Sequence, residues 1–462
     1  MIPRLVGRAT GRWVDRRLRV SSAARHVVAK IFPDHWSFML GEIALYCFVV
    51  LIVTGTYLTL FFEPSTADAV YHGRYAPLDG STTSAAFSST VSLSWDVRGG
   101  LLVRQTHHWA ALIFIAAIVV HLCRVFFTGA FRRPREVNWL VGVTLLLLSL
   151  VNGFAGYSLP DDLLSGTGLR IASAVVLSIP VVGTWLQFLL FGGEFPGDAI
   201  EQRLYAAHIL LVPGLILALV TVHMAILVRQ KHTQFPGRGR RDTNVVGSRL
   251  WPTYAFRSVA LLLAVAGACA LLGGLVQINP VWVWGPFDPA GVTAPAQPDW
   301  YIGWLEGALR LFPPWDAYVL GHLLPAVFWP AVVFPGLTFL TVYAWPWIER
   351  WRTGDRTEHH VLQRPRQVPG RVAVGVGALT LFALLLVAGG NDIWARELKI
   401  PVLTVIWVMR VAVLVGPVLA AAVAYWLAAS LRRSDAESFS QLPASQLRRP
   451  RELRRPRERS RP

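Results

Sequence analysis

Apolar runs of nearly uniform length alternate with short charged stretches along this chain. They fall at roughly 41–62, 107–128, 139–159, 205–228, 258–278, 319–346, 372–389 and 401–430. About twenty helical residues, rising about 1.5 Å each, cross a hydrocarbon layer about 30 Å thick. The pattern therefore predicts an all-α integral membrane protein with eight transmembrane helices. A ninth apolar stretch, Ile171–Phe191, is broken by Pro180 and Gly183. If it also crossed, every later connection would change sides.

Charge decides its status. With eight spans, the Arg- and Lys-rich connections fall on one side: Arg4–Lys30, Arg124–Arg135, Arg229–Arg257, Glu349–Arg371 and the C-terminal tail. Glu63–Arg98, Asp161–Arg203, Asp288–Asp316 and Asp392–Lys399 fall on the other and are mixed or acidic. Basic loops stay in the cytoplasm, so both termini are expected there. Ile171–Phe191 is then expected on the outer surface, as a bent hairpin of amphipathic helices.

Composition agrees. The chain is 54% hydrophobic and 15% charged, whereas soluble domains carry about 25% charged residues. The Arg-rich N-terminal segment lacks an apolar core ending in a small-residue cleavage site. A net charge of +17 raises nucleic acid as a partner. The charge sits in the connections and the tail, however, so topology and anionic lipid headgroups explain it, and no nucleic acid is expected. Cys47, Cys123 and Cys269 lie in apolar runs without CxxC or CxxCH spacing, and are read as packing residues. No phosphate-binding loop, dinucleotide fingerprint or nucleophile elbow is present.

Chemistry enters with four histidines. His107 and His121 are 14 apart (121 − 107) on the second run, and His208 and His223 are 15 apart (223 − 208) on the fourth. Each pair spans roughly 21–22 Å. At about 100° per residue, fourteen steps end about 40° short of four turns and fifteen end about 60° past them, so each pair keeps one face. His108 to His121 is thirteen steps (121 − 108), which sets the two about 140° apart. His107 is therefore the better ligand, and His108 is expected to face a neighbour or solvent. Both helices run in the same direction, so His107 and His208 share the outer level, and His121 and His223 the inner. Two helices so equipped can hold two stacked haems through four axial nitrogens.

Other spacings fit a haem. Arg104 and Arg124 lie three residues outside His107 and His121, where propionates need cations; Arg124 is also explained as positive-inside charge. Gly41 and Gly55 are 14 apart on the first run, as are Gly142 and Gly156 on the third. A flat macrocycle against a helix needs missing side chains. Pro213, five residues after His208, is expected to kink the fourth helix.

On these residues the chain resembles the cytochrome b subunit of the cytochrome bc family of quinol-oxidising complexes, over nearly all of 30–430. The likeness rests on the four histidines and on His107–Glu136 (HHWAALIFIAAIVVHLCRVFFTGAFRRPRE). It rests also on Pro298–Asp299–Trp300–Tyr301, similar to the family's Pro-Glu-Trp-Tyr motif, and on Gly156–Tyr157–Ser158–Leu159–Pro160. Phe32–Glu42 and the basic tail look most like the actinobacterial form.

The resemblance implies a quinol–cytochrome c oxidoreductase subunit of a bacterial cell membrane, coupled to proton translocation. It implies two non-covalent b haems, the outer on His107 and His208, the inner on His121 and His223, with Arg104, Arg124 and Arg203 near them. It implies an outer quinol pocket holding Tyr157, Tyr301 and Asp299, where Asp299 stands for the usual Glu, one methylene shorter, and takes a proton. Asp161 and Asp162 depart from the family after Pro160. Val228 stands where an inner-site histidine is usual, leaving His35, Trp36, Ser37 and Asp242 as candidates for the inner quinone site. Implied partners are a Rieske iron–sulfur subunit, a c-type cytochrome subunit, a second copy in a homodimer, and a terminal oxidase in a supercomplex.

The expected organisation is a basic N-terminal segment (1–38), a haem-binding four-helix bundle (39–230), a basic connection (231–257), a C-terminal four-helix domain carrying the PDWY loop (258–431) and a disordered basic tail (432–462). A ferric reductase or NADPH oxidase would also space histidine pairs, but no flavin or nicotinamide motif follows the last run. A transporter using buried histidines as proton relays is the remaining alternative.

Overall fold

A computed structural model describes residues 28–197, 199–291 and 297–440, together with Trp13, Asp15 and Arg17. Eight described helices are long and apolar enough to cross a membrane: Trp36–Leu58, Gly100–Phe127, Glu136–Tyr157, Ile200–Gln230, Leu250–Leu275, Trp329–Thr353, Pro369–Gly389 and Val402–Asp435. They are spans one to eight below.

Span one packs on span two, span five lies against both, and spans three and four pair. Their shared core holds Phe48, Phe114, Ile115, Val212 and Ile216, with Cys47 and Cys269 fully buried as packing residues. Span seven packs against span eight and against a short helix, Trp300–Leu311.

The Arg-rich connections meet on one face. Arg135 donates to the carbonyls of His359, Gln230 and Lys231, and Gln234 pairs with the backbone at His360–Leu362. Ile31–Phe32 pairs with Ser248–Arg249 on the same side. Four connections in contact must lie at one end of the bundle, the arrangement that eight crossings require.

At the opposite end, Leu163–Leu177 and Gly183–Phe191 form the expected hairpin. Asp162 starts it, exchanging bonds with Ser165 as a capping box. Pro180 and the positive φ of Val181 (67°) break it. A Cβ at Gly183 would lie 2.6 Å from the Val176 carbonyl oxygen, so only glycine fits that turn. Neither helix is long enough to span, and Trp185, Phe188 and Leu189 are exposed on the second.

Two expectations are corrected. Span six begins at Trp329 rather than 319, because Ala317–Val319 and His322–Leu324 form a β-hairpin. Leu320 and Gly321 both take positive φ (52° and 81°), the tight turn that suits two twisted strands. At the other end, the last helix runs on to Ser440, nine residues into the segment read as a disordered tail. Residues 441–462 lie outside the described residues, as does most of the N-terminal segment.

Candidate functional site

Pro213 leaves a mark at the fourth span. The backbone forms a π-turn over Ala207–Leu211, which contains His208 and is closed by Val212 N–H onto the Ala207 carbonyl. Proline lacks an N–H and crowds the preceding turn, and the wider turn relieves this. A π-turn absorbs about one extra residue, so the fifteen steps from His208 act as about fourteen. Both histidine pairs then sit about 40° short of four turns, in matching phase.

The histidines lie across from the glycines, one for one. A Cβ at Gly55 would meet the His107 ring at 3.1 Å and one at Gly156 the His208 ring at 2.3 Å; at Gly41 it would meet His121 at 3.2 Å and at Gly142 His223 at 3.7 Å. The His107 and His208 ring centres are 6.2 Å apart. Two metal–nitrogen bonds of about 2 Å, with half a ring on either side, make roughly the same distance. His107 Nδ1 lies 2.9 Å from the Thr54 hydroxyl, which itself donates to the Val50 carbonyl. His208 Nδ1 is 3.0 Å from the Asn152 carbonyl. Bonds of this kind fix the tautomer with hydrogen on Nδ1 and leave Nε2 as the ligand. At the inner level Nδ1 of His121 and Nε of Arg124 are buried without a partner; at the outer level so is Nε of Arg104, whose Nη2 donates to the Asn279 carbonyl. Buried cationic atoms without partners, beside cradles that a Cβ would fill, fit a bound group carrying acidic side arms. The residues present therefore fit two haems. Arg203 does something else: it caps the carbonyls of Phe188 and Leu189 in the surface hairpin.

A cavity of about 440 Å³ runs from His107 and His208 to Tyr157, Tyr301 and Asp299. Asp299 ends the extended loop before Trp300–Leu311 and points into it. His108 Nε2 lies 2.8 Å from its carboxylate, and the Tyr301 hydroxyl donates to it at 3.2 Å. Gly153 makes room for this: a Cβ there would lie 2.8 Å from the Tyr301 oxygen. Tyr157 reaches the Leu164 carbonyl at 3.4 Å. Asp162 lines the same cavity while capping the hairpin, and burial raises its pKa. Burial also pushes Asp161 up to about 6.

His108, expected to face a neighbour or solvent, faces Asp299. Sequence reasoning missed two groups. Glu306 is partly buried, bonds Arg310 through one oxygen and leaves the other, itself buried, without a partner; burial pushes it up to about 7 against the pull of Arg310. Spacing could have found it, because seven steps from Asp299 (306 − 299) nearly complete two turns. Glu42, next to Gly41, was the one acidic residue of the first span. Of the four inner candidates, Asp242 is occupied by the backbone N–H groups of His360 and Val361, and Ser37 is buried against the His35 ring.

A sequence model of the family described as "Cytochrome b(N-terminal)/b6/petB" matches residues 112–286. The cytochrome bc1 complex cytochrome b subunit of Corynebacterium efficiens is 49% identical over 427 residues, 92% of this chain and 79% of that protein. That of Mycobacterium tuberculosis is 52% identical over 423 residues, 91% of this chain and 77% of that protein. The chain belongs to the cytochrome b family.

Other relatives agree with that membership. The cytochrome b subunit of Streptomyces coelicolor is 50% identical over 430 residues, 93% of this chain and 79% of that protein. A solved chain of a hyperthermophilic respiratory Complex III superposes with a TM-score of 0.64 at 20% identity, covering 89% of this chain and 99% of that one. At that identity the match speaks for the cytochrome b fold alone.

Proposed function

We propose that this cytochrome b is the quinol-oxidising subunit of a bacterial cytochrome bc1 complex, with both termini in the cytoplasm. His107 and His208 would hold one b haem, and His121 and His223 the other, with Arg104 and Arg124 facing propionates and Gly41, Gly55, Gly142 and Gly156 leaving room for the rings. Bound there, the two haems supply a path for single electrons across the membrane.

The observation that carries the reading is the shared cavity, which puts the carboxylate of Asp299 and the His107–His208 pair around one space. Quinol enters this apolar space and meets Asp299, held by the His108 ring and the Tyr301 hydroxyl with an oxygen toward the cavity. Asp299 takes the proton of one quinol hydroxyl and water on the outer side takes that of the other, so two protons leave with the two electrons. Tyr157 forms the opposite wall. One electron leaves to an iron–sulfur partner and thence to a c-type cytochrome subunit, neither of which this chain can provide, and the other crosses the membrane to reduce quinone near the Arg-rich face. A homodimer and association with a terminal oxidase belong to the same reading.

Asp299→Asn tests it in the purified complex. Losing the proton acceptor is expected to slow quinol–cytochrome c turnover by about 10²-fold or more, with the b-type absorbance unchanged. Turnover at the normal rate would overturn the assignment.

A further inference from the structure

Asp162 is the second carboxylate in the wall of the cavity that holds Asp299. It is only 3% exposed, and its two oxygens differ. Oδ1 accepts the Ser165 N–H and caps the surface hairpin. Oδ2 is buried without a partner. A cap needs one oxygen, and serine or asparagine would supply it. The second oxygen has no such task, and a buried carboxylate left half-satisfied is costly.

Its chain neighbour leads away from the cavity. Bonds from the Phe287 N–H to the Asp161 carbonyl and from the Leu163 N–H to the Gly285 carbonyl pin this stretch. Asp161 is half-buried and accepts the Ser84 hydroxyl. Ser84 begins the helix Ala85–Trp95 and pairs, across a two-stranded sheet, with Asp68, which is exposed. Cross-strand partners project to one face. Exposure therefore rises step by step from Asp162 through Asp161 and Ser84 to Asp68. On the cavity side, Asp162 and Asp299 both face the Tyr157 hydroxyl. Glu306 faces it too, but Arg310 holds one oxygen of Glu306 and binds Asp392 as well. A fixed guanidinium opposes a proton moving that way.

The charged and titratable groups facing the pair come from four elements. They are Arg104 from span two, Tyr157 from the end of span three, Glu201 from the start of span four, and Asp68 beyond Ser84. Burial raises Asp162 against the pull of Ser165 and Arg104. Burial and the charge on Asp162 push Asp161 up to about 6 against the Ser84 bond. Carboxylates held in this range can both take and release a proton.

We propose that Asp162 and Asp161 carry the proton taken by Asp299 out of the cavity, Asp162 receiving it on its unpartnered oxygen and Asp161 releasing it to water beside Ser84 and Asp68. The inference rests on the reading of Asp299 as the group that takes a quinol proton. For each quinol, one proton leaves Asp299, crosses cavity water past Tyr157 to Asp162, passes to Asp161 and enters outer water. Each carboxylate ends as it began. No electron moves in these transfers, and no bond to the protein forms.

The test is quinol–cytochrome c turnover of the purified complex across pH, with b-type spectra recorded beside it. Asp162→Asn keeps the cap and is expected to lower kcat by about 10-fold with the KM for quinol unchanged. Asp161→Asn is expected to do the same. It should also lose the fall in rate below about pH 6 that the unaltered complex shows as Asp161 fills with a proton, while Asp161→Glu recovers much of the rate. Normal kcat in either Asn variant, or a slowed Asp161→Asn that keeps the acid limb, would overturn the proposal. If Asp162→Asn loses b-type absorbance, Asp161→Asn beside Asp161→Glu decides alone by the same criteria. Asp299→Asn separates the two levels of inference: its normal turnover would sink the underlying reading, whereas its slowing beside normal Asp161 and Asp162 variants would sink only this exit.

Discussion

Replacing each of the four cradle glycines by alanine separates them by distance alone. A Cβ at 156 would lie 2.3 Å from His208 Cε1, closer than any real carbon contact, whereas a Cβ at 142 would lie 3.7 Å from His223, an ordinary contact. Positions 55 and 41 are intermediate at 3.1 and 3.2 Å. Overpacking of this kind costs about 1–3 kcal/mol, which is roughly 5- to 150-fold in an equilibrium such as haem retention. Gly156→Ala has no flexible neighbour to absorb the overlap, because His208 is tied to the Asn152 carbonyl, so it belongs at the upper end of that range. Gly142→Ala is expected to be near neutral. Reduced-minus-oxidised spectra of membranes, resolved by redox titration, would show Gly156→Ala losing one b component and Gly142→Ala keeping both. If Gly142→Ala lost more haem than Gly156→Ala, the cradle argument would be refuted.

Three further outcomes are expected. His108→Ala leaves Asp299 held by Tyr301 alone and should cut quinol turnover by about tenfold with both b components present; full turnover would mean the ring does not position the carboxylate. Asp162→Ala removes the cap of the surface hairpin and should cost about 1 kcal/mol, read as a lower melting temperature of the detergent-solubilised chain. Glu306 has its pKa raised from 4.5 to about 7. Its burial therefore favours the fold below pH 4.5, and that contribution is lost as pH rises to about 7, by up to roughly 3 kcal/mol. Glu306→Gln should remove this fall in a pH series of thermal denaturation, and an unchanged series would show that the carboxyl does not titrate there.

Much of the fold was legible because a membrane imposes length and charge rules on sequence. The eight spans follow from apolar length, and the exclusion of Ile171–Phe191 from the side on which arginines fall. The equal spacing of glycines and histidines was legible, but the pairing of Gly55 with His107 and Gly156 with His208 came from the packing of the helices. What escaped depended on local backbone chemistry or on distance along the chain. Pro213 announced a kink, but nothing in its neighbours announced that the relief would be a π-turn bringing the fifteen-step pair into phase with the fourteen-step pair. Tyr318, Val319, Leu320, Leu323 and Leu324 are as apolar in a hairpin as in a helix, so the start of span six was misread by ten residues. His108 and Asp299 are separated by 191 residues, and no local signal joins them. Glu42, the one acidic residue of the first span, sat unremarked beside a glycine noted for its spacing, although three hydroxyls from two spans meet on it.

The central claim is that two histidine pairs hold two haems at two levels of one bundle. Spectroelectrochemical titration of the unaltered complex beside His208→Ala and His223→Ala tests it most directly. Two b-type components are expected in the unaltered protein, with one lost in His208→Ala and the other in His223→Ala. No b-type component in the unaltered protein, or both components surviving in either variant, would contradict it.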